Sequence, residues 1–553
     1  MKQIRLPLLL VLYLLSLLGC RETASTPTTA ATATPPNATS QPNATATQTA
    51  LKPIAATPTL SDALPTIDAV VDATAVATTT LPDLPDPTLF DIAWDDRSPF
   101  RAGLIPSEQA ILDQLPQAAV YLLDVDIDAS MTAVSGTQEI HYTNQEDVPL
   151  DRLYFHLYPN LLGGAITVND VRVNGRSAPT NLEAANSLLN ISLPAPLAPG
   201  AATTIQLSFE TRVPVEDERN YSIFTYQQNI LALAHFYPVI AVYDATGWDT
   251  AVPAPQGDVT YADTSFYLVR VTAPGSVVVA ASGIEIATDT ASNSHTYAAG
   301  PMRDFYLAAS ADYVPVSRQV GDVTINSYAP AIYAEGATAV LDFAEAALNS
   351  YGTRFTPYPF TELDIVSTPT QALGIEYPGI IVNALRIYDL QASSGGLPNY
   401  VRLESTTAHE VGHQWFYSLV GNDQLDEPWL DESLTQYVTY LYYLDTGGPQ
   451  AAASFFSAME GNWSAADQAD IPIGLPVAAY EGNEYGAIVY GRGPIVMRQL
   501  AEIMGEATFD EFLHAYVAQF KWGLATGTDF RALAEQTCAC DLEDVFVTAI
   551  LPR

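Results

Sequence analysis

The stretch HEVGHQWFYSLVGNDQLDEPWLDESLT runs from His409 to Thr435 and decides how the second half of the chain folds. If its beginning is helical, His409 and His413 are one turn apart, so both imidazoles leave the same face. Two imidazole nitrogens at that separation can bind one metal ion at about 2.0–2.1 Å each. Glu410 is rotated by about 100° from His409, which places it beside such an ion rather than on it. The stretch therefore predicts a helix that carries a metal site.

The pattern His-Glu-x-x-His is that of zinc peptidases, in which the glutamate is the general base. A catalytic zinc needs a third protein ligand and an open position. Eighteen residues separate His413 from Glu432, and turn-forming residues followed by Pro428 predict a second helix that begins near Glu432. Glu432 is therefore the candidate third ligand. An acidic residue there would also stabilise the helix N-terminus without binding a metal.

Three features together resemble the aminopeptidase N family of gluzincins, which includes the leukotriene hydrolases: HEVGHQW, the eighteen-residue spacing, and WLDES. That family usually has Trp-Leu-Asn-Glu around the third ligand, and Asp431 stands in place of the Asn here. The resemblance implies one zinc ion per chain on His409, His413 and Glu432, with Glu410 as general base. The implied reaction is hydrolysis of N-terminal residues from peptides.

Two further motifs support the same resemblance. LGIEYPG is similar to a Gly-Gly-Met-Glu-Tyr-Pro strand of bacterial members, although Leu373 and Ile375 replace the usual Gly and Met. It implies that Glu376 holds the α-amine of the substrate and that Gly374 lies in the strand that pairs with the peptide. YGRG is similar to the Tyr-x-Lys-Gly motif of the family, which implies that the Tyr490 hydroxyl donates to the oxyanion.

The segments around these motifs predict an α+β fold. Short β-branched and aromatic runs from about residue 115 to 310 predict an all-β sandwich or saddle domain, assigned to residues 91–330. Helical periodicity after about Pro330, with Val340, Leu341, Ala344 and Leu348 on one side, predicts an α-rich part. We assign residues 331–553 to a thermolysin-like catalytic domain. We expect the chain to lack the large helical C-terminal domain of longer family members.

The N-terminus predicts export. Lys2 and Arg5 precede an apolar run from Leu6 to Gly19, which is too short to span a bilayer comfortably but suits a signal peptide. Leu-Leu-Gly-Cys at its end resembles the bacterial lipoprotein cleavage box, which implies residues 1–20 as signal and Cys20 as the lipidated residue. An ordinary secretory signal is the alternative. The Thr-, Ala- and Pro-rich residues 21–90 predict a disordered tether, so we expect an extracytoplasmic protein that is lipid-anchored to the bacterial cell membrane.

The net charge limits which classes of partner the protein can bind, and the remaining histidines give no sign of a second site. The formal net charge of −40 predicts no nucleic-acid partner, because phosphate contacts need clustered Lys and Arg. Peptide substrates and a membrane reached through the lipid are the expected partners, and the oligomeric state is not predicted. His141, His156 and His235 each lie in apolar strand-like segments, and we interpret them as core histidines.

Three alternatives stay open from the sequence. Cys538 and Cys540 form a Cys-Ala-Cys pair that is as consistent with a strained disulfide as with free thiols. A zinc endopeptidase with an open cleft is an alternative enzyme. A different class of function is an inactive peptide-binding scaffold displayed at the surface.

Overall fold

The computed structural model describes residues 92–551. The predicted signal peptide, the lipidation site Cys20 and the predicted tether over residues 21–90 lie outside the described residues. Within residues 92–551 no helix combines the length and the apolar character needed to span a bilayer.

The first part of the described chain consists mainly of strands. They are β1 Val120–Ile127, β2 Ala133–Thr143, β3 Leu150–His156, β4 Ala165–Val173, β5 Arg176–Ser177, β6 Thr180–Glu183, β7 Leu188–Leu197, β8 Ala202–Arg212, β9 Phe224–Gln227, β10 Ile230–Leu233, β11 Val239–Ile240, β12 Tyr243–Asp244, β13 Gly247–Trp248, β14 Ser265–Thr272, β15 Val278–Ala281, β16 Ile284–Asp289, β17 Ser294–Met302 and β18 Leu307–Ser310. Burial alternates along β8, as expected for a strand with one face on the core.

These strands form one eight-stranded sheet, two four-stranded sheets and the two-stranded sheet β12-β13. The eight-stranded sheet has the order β16-β17-β14-β1-β2-β8-β4-β5, and two four-stranded sheets have the orders β15-β18-β10-β9 and β11-β3-β7-β6. The predicted β-rich domain is confirmed. His141 lies in β2 and His156 in β3, as expected, but the strand placement of His235 is wrong, because His235 follows β10 in a left-handed conformation with φ of 48°.

The second part is an α-rich domain built on a five-stranded sheet. Its strands and helices are β19 Tyr313–Val320, β20 Val323–Pro330, α1 Ala334–Arg354, β21 Glu362–Thr368, β22 Gly374–Ile375, β23 Ile380–Ala384, β24 Ser393–Ser394, β25 Leu397–Pro398, α2 Asn399–Gly412, α3 Glu432–Ser464, α4 Glu484–Ala487, α5 Gly493–Met504, α6 Glu506–Phe520, α7 Gly527–Cys538 and α8 Glu543–Val545. The sheet order is β19-β20-β21-β23-β22. The hairpin β19–β20 thus belongs to this sheet, which crosses the predicted boundary at residue 331.

Several local predictions for this part agree with the structure. The four apolar residues assigned to one side of α1 are all buried. Gly448 interrupts α3 with φ of 73°, and Gly505 ends α5 with φ of 87°, conformations that glycine adopts readily. Cys538 and Cys540 are joined in a disulfide, which decides between the two states left open by the sequence.

A buried arginine ties the β-rich domain to the α-rich domain. Arg303 follows β17, and its guanidinium donates to the carbonyls of Tyr417 at 2.9 Å, Ala262 at 3.1 Å and Leu419 at 3.3 Å, and also to that of Gly523. Its side chain is 1% exposed and has no carboxylate within ion-pair distance among the described residues. Carbonyl oxygens therefore accept its hydrogen bonds. Burial lowers the pKa of the guanidinium, and the charge of nearby Asp263 acts in the opposite direction.

Replacing Arg303 with Met is expected to lower the free energy of unfolding by about 3 kcal/mol or more, because buried carbonyls that lose their donor cost about 1–3 kcal/mol each. Urea unfolding followed by fluorescence measures the change. Arg152 is the matched control, since it is exposed and forms its ion pair with the adjacent Asp151. Equal unfolding midpoints for Arg303→Met and Arg152→Met would contradict this role for Arg303.

Candidate active site

The three predicted metal ligands meet where α2 ends and α3 begins. His409 lies in the last turn of α2, His413 directly follows that helix, and Glu432 is the first residue of α3. The two histidine Nε2 atoms are 3.1 Å apart, and Oε2 of Glu432 lies 3.2 Å from Nε2 of His409 and 3.3 Å from Nε2 of His413. Three ligand atoms therefore converge on one point.

This ligand set fits a zinc ion. Two imidazoles and one carboxylate form a known ligand set of catalytic zinc, and a tetrahedral ion with ligands at about 2.0–2.1 Å separates them by about 3.3 Å. The Nδ1 atom of His413 lies 3.0 Å from the carbonyl oxygen of Phe416, which fixes the tautomer that leaves Nε2 free to bind metal. Although burial alone raises the pKa of Glu432, the charge of His413 and hydrogen bonds from both histidines hold that pKa below its ordinary value.

A close helix contact brings the ligands together. A Cβ atom added to Gly412 would lie 2.9 Å from the Thr435 side chain, so the missing side chain lets α2 approach α3. The Thr435 hydroxyl also lies 3.3 Å from Nδ1 of His413. Helix packing therefore sets the spacing between the histidines and Glu432.

Glu410 is buried on the α2 face beside the metal ligands. Burial raises the pKa of its carboxyl well above the ordinary value, while the charge of His413 acts in the opposite direction. A raised pKa makes a carboxylate a stronger base toward water. The carboxylate packs on Gly374 in β22, where an added Cβ would lie 2.3 Å from Oε1 of Glu410.

Glu376 follows β22 and is 5% exposed. Gln414, in the segment after α2, fixes this part of the chain: its Nε2 donates to the carbonyl of Tyr377 at 3.1 Å, and its Oε1 accepts from the Gly379 N–H at 2.9 Å. Burial raises the pKa of Glu376, and His413 lowers it. The predicted amine-binding residue thus lies beside the metal ligands.

Tyr490 lies in a π-helical turn, a feature frequent at functional sites. Its hydroxyl donates to Oε1 of Glu432, so the tyrosine is in direct contact with a metal ligand. Ser433 positions this turn by donating to the carbonyl of Val489 at 2.7 Å. The ring of Tyr485 lies 5.7 Å from that of Tyr490, and its buried hydroxyl has no hydrogen-bond partner among the described residues.

One carboxylate at the site was not predicted from the sequence. Ligand atoms of Asp258, Glu376 and Glu432 all lie within 4.8 Å of one another. Burial, followed by the charges of Glu376 and Glu432, raises the pKa of Asp258. Among residues 92–551 neither Asp258 nor Glu376 forms an ion pair with Lys or Arg, so two adjacent carboxylates face the site without a Lys or Arg partner.

Asp258 comes from the β-rich domain on a segment that His235 anchors. The Thr260 hydroxyl lies 2.9 Å from Nε2 of His235, and Nδ1 of His235 lies 2.9 Å from the buried Asp304 carboxylate. The predicted core role of His235 agrees with its burial, and its partners connect it to the segment that carries Asp258.

Comparison with known proteins places this geometry in a family. Residues 339–548 match the peptidase family M1 domain, over the span that carries the metal ligands, Glu376 and Tyr490. Residues 339–548 therefore form a peptidase family M1 domain. The M1 family placement implies zinc as the metal, and it confirms the resemblance seen in the motifs.

The M1 relatives are similar over part of their length. Aminopeptidase M1-C of Oryza sativa subsp. japonica is 28% identical over 290 residues, which are 49% of this chain and 32% of that protein. Aminopeptidase N of Oryctolagus cuniculus is 27% identical over 193 residues, which are 32% of this chain and 19% of that protein. The matches thus span about a third or less of these curated relatives.

Solved M1 structures share the fold over more of the chain. The M1 zinc metallopeptidase from Deinococcus radiodurans superposes with a TM-score of 0.57 at 20% identity, covering 79% of this chain and 95% of that one. A mutant of that protein bound to a Tyr-Ser-Ala substrate gives the same TM-score and coverage. The predicted order, a β-rich domain before a thermolysin-like domain, is confirmed.

In the M1 domain, Gly374→Ala is expected to lower kcat by about 10²-fold while the protein stays folded. The added Cβ would push the end of the flexible Glu410 side chain away, and displacement of a reacting group by about 1 Å can cost that much. Steady-state kinetics with a peptide substrate measure the change. Gly352→Ala is the control, because its Cβ would meet open space; equal activity of the two variants would contradict the contact.

Proposed function

We propose that this protein is a zinc-dependent aminopeptidase. The observation that carries the proposal is a His-His-Glu metal triad beside two adjacent carboxylates, Glu376 and Asp258, that form no ion pair with Lys or Arg among the described residues. A protonated amine at a peptide N-terminus supplies the missing positive charge. Because the amine subsite lies beside the triad, the bond presented for hydrolysis is near the end of the chain.

The proposed ligands are His409, His413 and Glu432, with one zinc ion per chain. Zinc held there would make water more acidic and polarise the scissile carbonyl. Glu410 accepts the proton of the attacking water and passes it to the leaving amine. The Tyr490 hydroxyl donates to the carbonyl oxygen as it becomes tetrahedral, which requires it to release Glu432.

The amine subsite favours an aminopeptidase over an endopeptidase. An internal peptide segment would place a neutral amide, rather than an ammonium, against Glu376 and Asp258, so neither carboxylate would gain a cation from the substrate. Leaving a buried charge unpaired is costly, so an internal segment binds less well than a free N-terminus. The intact triad and Glu410 likewise support an enzyme over an inactive scaffold.

A panel of aminoacyl 4-nitroanilides, assayed with and without a chelator, tests the proposal. We expect hydrolysis of at least one member, loss of activity with chelator, and recovery on addition of zinc. Absence of hydrolysis across the panel in a protein with stoichiometric zinc would contradict it.

We also propose that the protein is exported and lipid-anchored to the membrane through Cys20, with peptides as substrates. The apolar run that ends at Cys20 and the Thr-, Ala- and Pro-rich segment after it support this location. The Cys538–Cys540 disulfide is consistent with an oxidising compartment.

The expected result is that the full chain, expressed in a bacterium, fractionates with membranes and that Cys20→Ser releases it. Cys538→Ser is the control, because it removes a cysteine outside the N-terminal segment. Release of the wild-type protein into the soluble fraction would contradict the anchor.

A further inference from the structure

Gln424 bridges two buried carboxyl groups near the metal triad. It lies between α2 and α3, and its Nε2 donates to Oε1 of Glu376 at 3.0 Å and to Oδ2 of Asp431 at 2.7 Å. All three side chains are at most 5% exposed. A primary amide nitrogen carries two hydrogens, and both are used by these carboxyl groups. Rotating Gln424 away would therefore break two buried hydrogen bonds.

The two carboxyl oxygens of Asp431 fit the amide donors around them. Its second oxygen accepts from Nδ2 of Asn422 at 3.2 Å, so each carboxyl oxygen receives an amide donor. An Asn at position 431 would turn an NH₂ group toward one of these donors. In this chain Asp431 therefore fits the two amide donors Asn422 and Gln424 better than an Asn would.

We propose that Gln424, fixed by Asp431, is the positioning residue that holds the Glu376 carboxylate in place for the substrate ammonium. The inference rests on the proposed aminopeptidase function. One hydrogen bond to Oε1 restricts Glu376 and leaves Oε2 for the ammonium. Asp431 precedes the ligand Glu432, so the same network joins the amine subsite to the first turn of α3. The distance from the bound amine to the metal is thereby fixed, which orients the scissile bond.

A double-mutant cycle between Gln424→Leu and Glu376→Ala tests the proposal, with the best aminoacyl 4-nitroanilide as substrate. We expect Gln424→Leu alone to lower kcat/KM by about tenfold or more, mainly through KM, with zinc content unchanged. In the Glu376→Ala background the same change is expected to have little further effect, because its target is gone. Gln391→Leu, at an exposed position, is the control.

Asp431→Asn is the second variant, and it is used in the same cycle if Gln424→Leu does not fold. It is expected to lower kcat/KM in the same direction by a smaller factor. Equal losses in both backgrounds, or no loss for either variant, overturn the positioning role.

Assays of the wild-type protein distinguish failure of this inference from failure of the proposed function. Equal hydrolysis of the substrate and its N-acetyl form by the wild type overturns both proposals. Selectivity for the free amine that survives Gln424→Leu and Asp431→Asn overturns the positioning role alone.

Discussion

Glu410→Gln is expected to lower kcat by about 10²–10⁴-fold or more while zinc stays bound at one ion per chain. The Glu410 carboxylate is not one of the three proposed metal ligands, and it packs on β22 through Gly374. Glutamine keeps the shape and cannot accept the proton of water. Steady-state kinetics together with zinc analysis of the same sample measure both quantities.

Glu404→Gln is the matched control, since Glu404 also lies on α2 but accepts a hydrogen bond from Tyr442 away from the triad. We expect it to keep wild-type kcat. Full activity of a zinc-loaded Glu410→Gln protein would rule out the assignment of Glu410 as general base.

Removing either carboxylate of the amine subsite is expected to have the second large effect. Loss of one partner of a buried charged pair costs about 2–5 kcal/mol, so Glu376→Ala and Asp258→Ala should lower kcat/KM for a free peptide by roughly 30- to 4000-fold. Hydrolysis of the N-acetylated form of the same peptide, which carries no ammonium, should change little. Comparing the two peptides on each variant measures the contribution of the amine.

Glu210→Ala is the control for this pair, because it removes one negative charge from an exposed position on β8. It should leave the ratio of free to acetylated cleavage unchanged. If Glu376→Ala and Asp258→Ala change both peptides equally, these carboxylates serve the fold rather than the amine.

The metal triad could be predicted from the sequence because its three residues lie close together along the chain. One helical turn fixes His409 and His413 on one face, and Glu432 begins the next helix. Glu376, Gly374 and Tyr490 were identified only through motif resemblance, since a strand glutamate and one tyrosine among 30 carry no local signal. Packing brings Gly374 against Glu410, and it brings Glu376 and Tyr490 against the triad.

Asp258 and Gln424 were missed for a physical reason. Both lie outside helices and strands, so neither shows a periodicity, and their positions depend on how the β-rich domain and the α2–α3 connection pack. The same limit explains the hairpin β19–β20: its residues predict strands, but the sheet that they join is set by contact with β21.

Mass spectrometry of the products of one unmodified peptide tests the central claim most directly. The zinc-loaded protein is expected to produce a ladder of fragments that share the original C-terminus and lose residues one at a time from the N-terminus. Chelation should stop the ladder, and zinc should restore it. Internal fragments with both original ends cut off as the first products would contradict an amine-anchored aminopeptidase.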